Sequence, residues 1–472
     1  MNNNQTKNKD IKLERKLSPI NVWALAFGCI IGWGAFVMPG NTFLCKAGPA
    51  GTAIAMSMAA LIMIVIALNY NFMVVRFPIA GGEFNYVQKT FGEKNAFVCS
   101  WFLGLTYLTI VPLNATALSL IGRNLMGGVF QVGFHYTVAG YDVYMGEVML
   151  AIVALALFAW LSIRGVKFSG SFQTGLVICL VGGVSAVLIA ALCQGKFTMS
   201  NLSPAYHPGT SELSGILAVV AIAPWAFVGF DTIPQAAEEF NFSPAKSRWI
   251  MVLSILFGAA VYVILNTITA AVVPDGYSTW TEYIDAVPSL NGMMSLPTFH
   301  AAYELLGSWG VAFLGISVSA AILSGLIGFY MGASRLLFSM ARERVLPVWF
   351  GKIHEVHKTP VNAILFIMAV SMIAPFFGRT ALGWIVNMSS LGAAVGYGYT
   401  SAAAIRFAKK EHNRPIFFTG VLGVLFSLVF GLLLLIPIAG LDSSLGKESY
   451  VSLIVWIILG IFFYFYTKKD EK

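Results

Sequence analysis

The sequence predicts an all-α membrane protein with twelve transmembrane helices, in which helices 1 and 6 are discontinuous. Three observations lead to this fold class. Hydrophobic residues make up 58% of the 472 residues and charged residues only 11%, whereas charged residues make up about 25% of a soluble domain. Twelve apolar runs are long enough to cross a bilayer. The first and the sixth of these runs share the same five-residue spacing from Gly to Pro at membrane depth.

The twelve apolar runs are called TM1 to TM12 in chain order. Each supplies roughly the 20 residues that a transmembrane helix needs. Their predicted bounds are 19–46, 49–75, 95–122, 145–163, 170–193, 213–236, 248–273, 307–338, 361–377, 382–405, 415–438 and 450–467. Residues 1–18 and 468–472 form polar tails, and residues 1–18 lack the apolar centre of a signal peptide.

The positively charged residues set the expected orientation. With the N-terminus in the cytoplasm, all but five of the 29 Lys and Arg residues fall on the cytoplasmic side. The exceptions are Lys46, Arg123, Lys196, Arg379 and Lys447. We therefore expect a multi-pass protein of the cell membrane with both termini in the cytoplasm. Because the basic residues serve topology, the net charge of +8 does not indicate a nucleic-acid partner.

Ionisable residues at membrane depth are few, which excludes most catalytic sites. Of the 21 Asp and Glu residues, only Asp231 is predicted well inside a helix, and all six His residues fall in predicted loops. A membrane-embedded enzyme would need a nucleophile with its base, or metal ligands, inside the membrane. His354 and His357 form an isolated H-x-x-H pair, and the five Cys residues are scattered. We expect no enzyme activity, no metal site and no cofactor.

TM1 and TM6 share an interruption that a helix in lipid should avoid, because each Gly or Pro weakens the backbone hydrogen bonding. TM1 contains GCIIGWGAFVMPG, in which Pro39 follows Gly34 by five residues. TM6 contains AIAPWAFVGFDTIPQAAEE, in which Pro234 follows Gly229 by five residues. Matching interruptions in two halves of a chain are the best sequence pointer to a transporter binding site.

The spacing also predicts a 5+5 inverted repeat, because five helices separate the two interruptions and five is odd. TM1–TM5 (19–193) and TM6–TM10 (213–405) would be the repeats, followed by TM11 and TM12 (415–467). The N–H groups exposed after Gly34 suit a carboxylate, and carbonyls near residues 225–227 suit an ammonium. Together they suit an α-amino acid. The alternative is that both are kinked helices in which Gly permits close packing.

Four segments in this order resemble those of the amino acid–polyamine–organocation (APC) superfamily. They are GWGAFVMPG in TM1, FPIAGGEFNYVQKTFGEKNAFVCSW (Phe77–Trp101) after TM2, WAFVGFDTIPQAAEE in TM6, and GASRLLFSMARERVLPVWFGKIHEVHKTP (Gly332–Pro360) at the exit of TM8. The resemblance covers at least TM1–TM10. It implies the leucine-transporter-type fold and the function of an amino acid permease.

The resemblance also implies which residues surround the substrate. The segment 32–36 matches the family's carboxylate-binding segment, where backbone N–H groups make the contacts, although the family usually has Ser where this chain has Trp33. Trp225 matches an aromatic residue that covers the substrate from outside; a Trp near a membrane boundary is alternatively an interface anchor. The full set expected at the substrate is Gly32, Trp33, Gly34, Ala35, Phe36, Asn114, Trp225, Ala226, Phe227, Gly229, Phe230 and Phe329.

Five of the candidate residues carry alternative interpretations. Asn114 and Phe329 are expected in the side-chain pocket, but Asn114 would face the bundle interior in any case because an amide is costly against lipid. Asp231 matches an acidic position implicated in proton sensing and is the proton-coupling candidate; alternatively, unwound backbone satisfies its carboxylate. Glu238 and Glu239 are candidates for an inner gate, or else form a solvated helix end.

Sodium is the less favoured coupling ion. Ser317, Ser319 and Ser324 in TM8 could supply oxygens beside TM1, but Ser in a membrane helix more often bonds its own backbone. Some family members carry a Lys in TM5 at this ion site. Here TM5 has no charge and Leu180 occupies the approximate position, so a mechanism that depends on that Lys is not expected.

The sequence thus predicts a secondary active transporter that moves amino acids through the lipid bilayer by alternating access. A neutral substrate is favoured because the predicted pocket is aromatic and apolar. TM1 also carries no acid for a second ammonium, which argues against the alternative, an amine or polyamine. Proton symport and exchange are equally compatible with the sequence. A sensor that binds without transporting is a further alternative.

Overall fold

The computed structural model describes residues 13–438 and 444–469, which consist mainly of helices joined by loops, with one two-stranded hairpin. Strands β1 (His135–Val138) and β2 (Tyr141–Tyr144) pair antiparallel in the connection between TM3 and TM4. The predicted helical class is therefore confirmed. The outer parts of both predicted tails lie outside the described residues.

The helices of the first half follow the predicted runs. In chain order they are Pro19–Ile30, Gly34–Met38, Leu44–Arg76, Glu83–Phe91, Glu93–Leu125, Met145–Ile163 and Val166–Cys193. A π-helical turn, Pro39–Phe43, joins the second of these helices to the third. Glu83–Phe91 is an additional short helix between TM2 and TM3.

The helices of the second half are shorter and more numerous. They are Glu212–Val220, Ala223–Ala226, Thr232–Gln235, Ser247–Ala271, Trp280–Ala286, Pro297–Leu306, Ser308–Arg342, Val361–Ser371, Gly378–Lys410, Arg414–Leu435 and Lys447–Lys469. Short 3₁₀ turns occur at Ala237–Glu239, Pro244–Lys246, Val287–Ser289, Gly292–Ser295, Val348–Gly351 and Ala374–Phe377.

Nine helices in the described part of the chain are long and apolar enough to cross a membrane. One of these nine helices extends from Pro19 to Arg76. It contains both TM1 and TM2, because helical turns continue from TM1 into TM2. TM6 is not among them because its helical pieces are too short. TM10 lies in the 33-residue helix Gly378–Lys410, which is rich in weakly apolar Gly, Ala and Ser. The count of twelve segments therefore stays a prediction.

The helices differ in how deeply they are buried. In the most apolar part of TM3, 72% of the residues are buried, compared with 28% in TM11 and 17% in TM12. TM11 and TM12 are thus peripheral and expose large apolar side chains, as expected for surfaces that face lipid. The main core combines residues of TM1, TM3, TM6 and TM8, so the interrupted helices lie at the centre.

The two interruptions meet at Gly229, which has φ +139°. A Cβ atom at this position would lie 2.6 Å from Cys29 Cβ and 2.8 Å from the Ile30 backbone nitrogen. Both the backbone conformation and the close approach to TM1 therefore require glycine. The end of the first half of TM1 packs directly on the break in TM6.

We predict that Gly229→Ala destabilises the protein by at least about 1–3 kcal/mol, the usual cost of overpacking. The added methyl group must push TM1 and TM6 apart. Thermal unfolding of the purified protein in detergent measures the effect. Gly175→Ala in TM5 is the control, because a Cβ at Gly175 would meet nothing within 4 Å. Equal unfolding midpoints for the two variants would contradict the prediction.

Candidate functional site

The break in TM1 leaves three backbone donors without backbone partners. The first half of TM1 ends where the Ile31 N–H donates to Phe27 O at 2.9 Å. Pairing resumes where the Ala35 N–H donates to Gly32 O at 3.3 Å. Within the described part of the chain, the N–H groups of residues 32–34 donate to no backbone carbonyl. Adjacent unpaired N–H groups at the start of a helical segment are suited to an anionic group.

The break in TM6 is wider than the break in TM1. Backbone from Phe227 to Asp231 is non-helical and separates two single turns. The Tyr262 hydroxyl of TM7 lies 3.4 Å from Ala226 O and 3.3 Å from Ile30 O. One tyrosine therefore serves the carbonyl ends at both breaks.

A small cavity, called the deep cavity, lies between the two breaks and has a volume of about 20 Å³. Its lining includes five residues predicted to surround the substrate: Gly32, Trp33, Asn114, Trp225 and Phe329. Among the described residues, no charged side chain lines it. A volume of this size holds about one water molecule. A larger ligand therefore enters only when the lining residues move apart.

The other predicted substrate residues lie behind this lining. Phe227 packs against Tyr262 with ring centroids 6.2 Å apart. Phe230 packs on Tyr70 and Tyr397, 5.5 Å from each ring. The remaining members are buried next to the break without lining the deep cavity, namely Gly34, Ala35, Phe36, Ala226 and Gly229.

A second cavity of about 710 Å³, called the vestibule, lies on the other side of Trp33 and Trp225. Both Trp residues line both cavities, and their rings meet edge to face with centroids 6.0 Å apart. Gly34 permits this arrangement, because a Cβ there would lie 2.4 Å from Trp225 Cη2. The two rings separate the deep cavity from the vestibule, where a covering residue is expected.

Asp231 is completely buried and has neutral partners. Its Oδ1 accepts the Gly229 N–H at 2.7 Å, and its Oδ2 accepts the Tyr107 hydroxyl at 2.9 Å. No Lys, Arg or His side chain in residues 13–438 or 444–469 forms an ion pair with it. Asp231 thus stabilises the break in TM6, and it does so without a counter-charge.

Ion pairs lie at the end of TM6 that faces away from the vestibule. Arg335 and Glu239 form a two-pronged pair, with Nε–Oε1 at 2.7 Å and Nη2–Oε2 at 3.2 Å, and both side chains are at most 2% exposed. Arg342 donates to Glu238 at 3.1 Å. Both Arg residues belong to the helix Ser308–Arg342, which contains TM8. The pairs therefore join the end of TM6 to the end of this helix.

The first described residues of the chain pack against the same end of TM6. Glu238 accepts the N–H groups of Leu13 and Ala80, each at 3.1 Å. The Leu17 N–H donates to Glu239 O, and Leu17 O accepts the Asn241 N–H, both at 3.0 Å. Glu238 and Glu239 therefore have structural partners and do not form a solvated helix end.

Glu83, in the helix between TM2 and TM3, is a buried acid that the sequence does not single out. Its side chain is 0% exposed, and the Gln235 side-chain amide donates to Oε2 while Oε1 has no hydrogen-bond partner. Burial raises the pKa of the Glu83 carboxyl well above its usual range, and the Asp231 charge raises it further.

Tyr107, Tyr262 and Arg335 are also absent from the predicted set. For Arg335 a signal exists, because it falls within the predicted bounds of TM8 and a buried Arg there demands an acidic partner. The two tyrosines carry no comparable signal, because their partners are backbone groups and one carboxylate on a distant helix.

Two of the three serines considered for sodium, Ser317 and Ser324, have other partners. Ser317 Oγ donates to Leu180 O at 3.0 Å. The Gln173 side-chain amide donates to Ser324 Oγ and lies 3.3 Å from Ala24 O. A hydrogen-bond donor from TM5 therefore occupies the space between TM1 and TM8.

The family model that matches this chain describes amino acid permeases and covers residues 17–463. The branched-chain amino acid permease BcaP of Bacillus subtilis is 26% identical, over 98% of this chain and 94% of its own length. The methylthioribose transporter of the same organism is 28% identical, over 99% of this chain and 96% of its own length. The arginine/ornithine antiporter of Latilactobacillus sakei is 23% identical, over 98% of this chain and 92% of its own length.

We predict that Glu239→Gln destabilises the protein by about 3–5 kcal/mol, because Arg335 then carries an unpaired buried charge. Combining Glu239→Gln with Arg335→Met should recover part of this loss. Thermal unfolding in detergent measures both effects. Glu238→Gln is the matched control, and we expect a smaller loss because Arg342 is 20% exposed. If the double variant is as unstable as Glu239→Gln, the pair does not act as described.

Proposed function

The chain belongs to the amino acid permease family and is a membrane transport protein rather than an enzyme, and we propose that it is a secondary active transporter of neutral α-amino acids. It would work by alternating access in the cell membrane, with both termini in the cytoplasm. The observation that carries this proposal is the lining of the deep cavity. It includes Gly32 and Trp33, whose N–H groups have no backbone partner among the described residues, and it includes no charged side chain. An amino acid carboxylate would take those N–H groups.

The proposed architecture comprises twelve transmembrane helices, with TM1–TM5 and TM6–TM10 as inverted repeats. Two features support it. The interruptions occur in the first helix of each proposed repeat, and they pack on each other at Gly229. The helices of TM11 and TM12 lie at the periphery, as expected for additions outside a repeat.

The absence of charge around the deep cavity supports a neutral substrate. A cationic side chain or a second ammonium would be buried without a counter-charge among the described lining residues, which is costly. This argues against the alternative, an amine or polyamine substrate. The lining residues Ile110, Leu113, Val228 and Phe329 suit an apolar side chain.

We favour proton coupling or exchange over sodium coupling. Asp231 is buried next to the break with only neutral partners, so its protonation would change its charge without breaking an ion pair. Sodium is less favoured because the Gln173 amide lies between the oxygens of TM1 and TM8 that a cation would need.

We predict that the purified protein in proteoliposomes takes up one or more labelled neutral amino acids, and that Gly34→Leu abolishes this uptake. The Leu side chain would occupy the space where the carboxylate approaches the backbone and would collide with Trp225. Initial uptake rates for an amino acid panel, with and without a pH gradient, measure the effect.

Gly182→Leu in TM5 is the control for Gly34→Leu, because a Cβ at Gly182 would meet nothing within 4 Å. Size-exclusion chromatography shows whether each variant is folded. Normal uptake by Gly34→Leu would remove TM1 from the site. Saturable binding without uptake by the wild type would instead indicate a sensor.

We predict that Asp231→Asn loses most of the pH dependence of transport between about pH 5 and 8, while substrate affinity survives. Asn is neutral like the protonated acid. Its amide can still accept the Gly229 N–H and donate to the Tyr107 oxygen. Initial uptake rates against pH for wild type and variant provide the measurement. A wild-type pH profile in the variant would show that Asp231 is structural.

A further inference from the structure

Arg379 places a guanidinium over the aromatic rings that close the deep cavity. It is the second residue of the helix Gly378–Lys410, and its Cζ lies 4.3 Å from the centroid of the Trp33 ring. Its Nη1 is buried and has no hydrogen-bond partner among the described residues. An Arg side chain carries five N–H donors, and a buried donor without a partner costs free energy. This arrangement suggests that a ligand group completes the site.

Arg379 brings a positive charge to the vestibule. Among the described lining residues there is no Asp or Glu, and the other basic residue, Lys46, has an interaction partner of its own. A concave site with one sign of charge attracts ligands of the opposite sign. At about 710 Å³ the vestibule is also within the usual size range of small-molecule sites.

The position of Arg379 links the vestibule to the deep cavity. Trp33 contacts the guanidinium on its vestibule side and lines the deep cavity as well. A planar carboxylate can accept two parallel hydrogen bonds from a guanidinium. A carboxylate bound to Arg379 would therefore lie directly above the edge-to-face pair of Trp33 and Trp225.

We propose that Arg379 forms an outer subsite that binds the carboxylate of an incoming amino acid before Trp33 and Trp225 open. This inference rests on the proposed function, and it adds a specificity element to it. Zwitterionic substrates present a carboxylate to the guanidinium. Ligands that carry only positive charge are repelled at the vestibule, before they reach the deep cavity.

Cys45 supplies a reporter for this subsite, because it lines the vestibule and is half-buried. Cys179 and Cys193 are exposed and are replaced by Ser, whereas Cys29 and Cys99 are buried. Alkylation of Cys45 by N-ethylmaleimide is followed in detergent while a small molecule is titrated. N-Acetyl-L-leucine has a carboxylate and no ammonium; L-leucinamide has an ammonium and no carboxylate.

We expect N-acetyl-L-leucine to slow the alkylation of Cys45, and L-leucinamide to have no effect. In Arg379→Gln the half-protecting concentration of N-acetyl-L-leucine should rise about tenfold, as for the loss of one charged hydrogen-bonding partner. The KM for L-leucine uptake should rise similarly. Arg379→Lys keeps the charge but loses the planar two-pronged donor, so its half-protecting concentration should lie between those of the wild type and Arg379→Gln.

Lys447→Gln is the charge-matched control, because Lys447 is exposed and does not line the vestibule. The assignment is overturned if Lys447→Gln has the same effect as Arg379→Gln. It is also overturned if N-acetyl-L-leucine protects Cys45 equally well in Arg379→Gln and in Arg379→Lys, which would indicate that Arg379 has a packing role. Equal protection of wild-type Cys45 by the two small molecules overturns it without any variant. Failure of wild-type uptake of every amino acid would instead contradict the proposed function, since the alkylation assay does not require transport.

Discussion

In hydrocarbon, a backbone N–H or C=O group without a partner is costly, and this constraint determines how the two broken helices are arranged. Tyr262 reaches the carbonyl ends at both breaks. Asp231 accepts the Gly229 N–H and is itself held by Tyr107. Among the described residues, the N–H groups of residues 32–34 have no backbone partner. The protein thus satisfies much of the broken backbone and leaves donors unpaired where an amino acid carboxylate would bind.

Under the proposed alternating-access mechanism, the two ends of the site would be closed by different interactions. On the vestibule side, closure depends on an edge-to-face contact of two indole rings, and such a contact can shift in small steps. On the opposite side, closure depends on the fully buried pair Glu239–Arg335. Separating these charges is costly until water reaches them. Inner opening should therefore be more nearly all-or-none than outer opening.

The features that the sequence predicts are those with a local signal. The spacing of Gly34 to Pro39 and of Gly229 to Pro234 indicates both breaks, because Gly and Pro weaken a helix wherever it lies. The packing of Arg335 on Glu239 is not local, since 96 residues separate the partners. Tyr107 and Tyr262 are ordinary helix residues by pattern, and only the fold brings them to the breaks.

Only some of the predicted site residues line the deep cavity. Gly32, Trp33, Asn114, Trp225 and Phe329 line the deep cavity, where the resemblance to the family places the substrate. Other residues of the same two segments do not line it; Phe227 and Phe230, for example, pack against tyrosine rings instead. Sequence matching identifies the segment, whereas side-chain direction depends on the course of the non-helical backbone.

The backbone pairing of Leu17 with the end of TM6 has a practical consequence for protein engineering. A fluorescent protein or affinity tag fused to the N-terminus would precede Leu13 and Leu17, which are hydrogen-bonded to the end of TM6 proposed as an inner gate. A load on the tag could therefore act on TM6. A tag fused after TM12 would hang from a helix with few contacts to the rest of the bundle. The C-terminus is therefore the better attachment point for any label meant to report on transport without disturbing it.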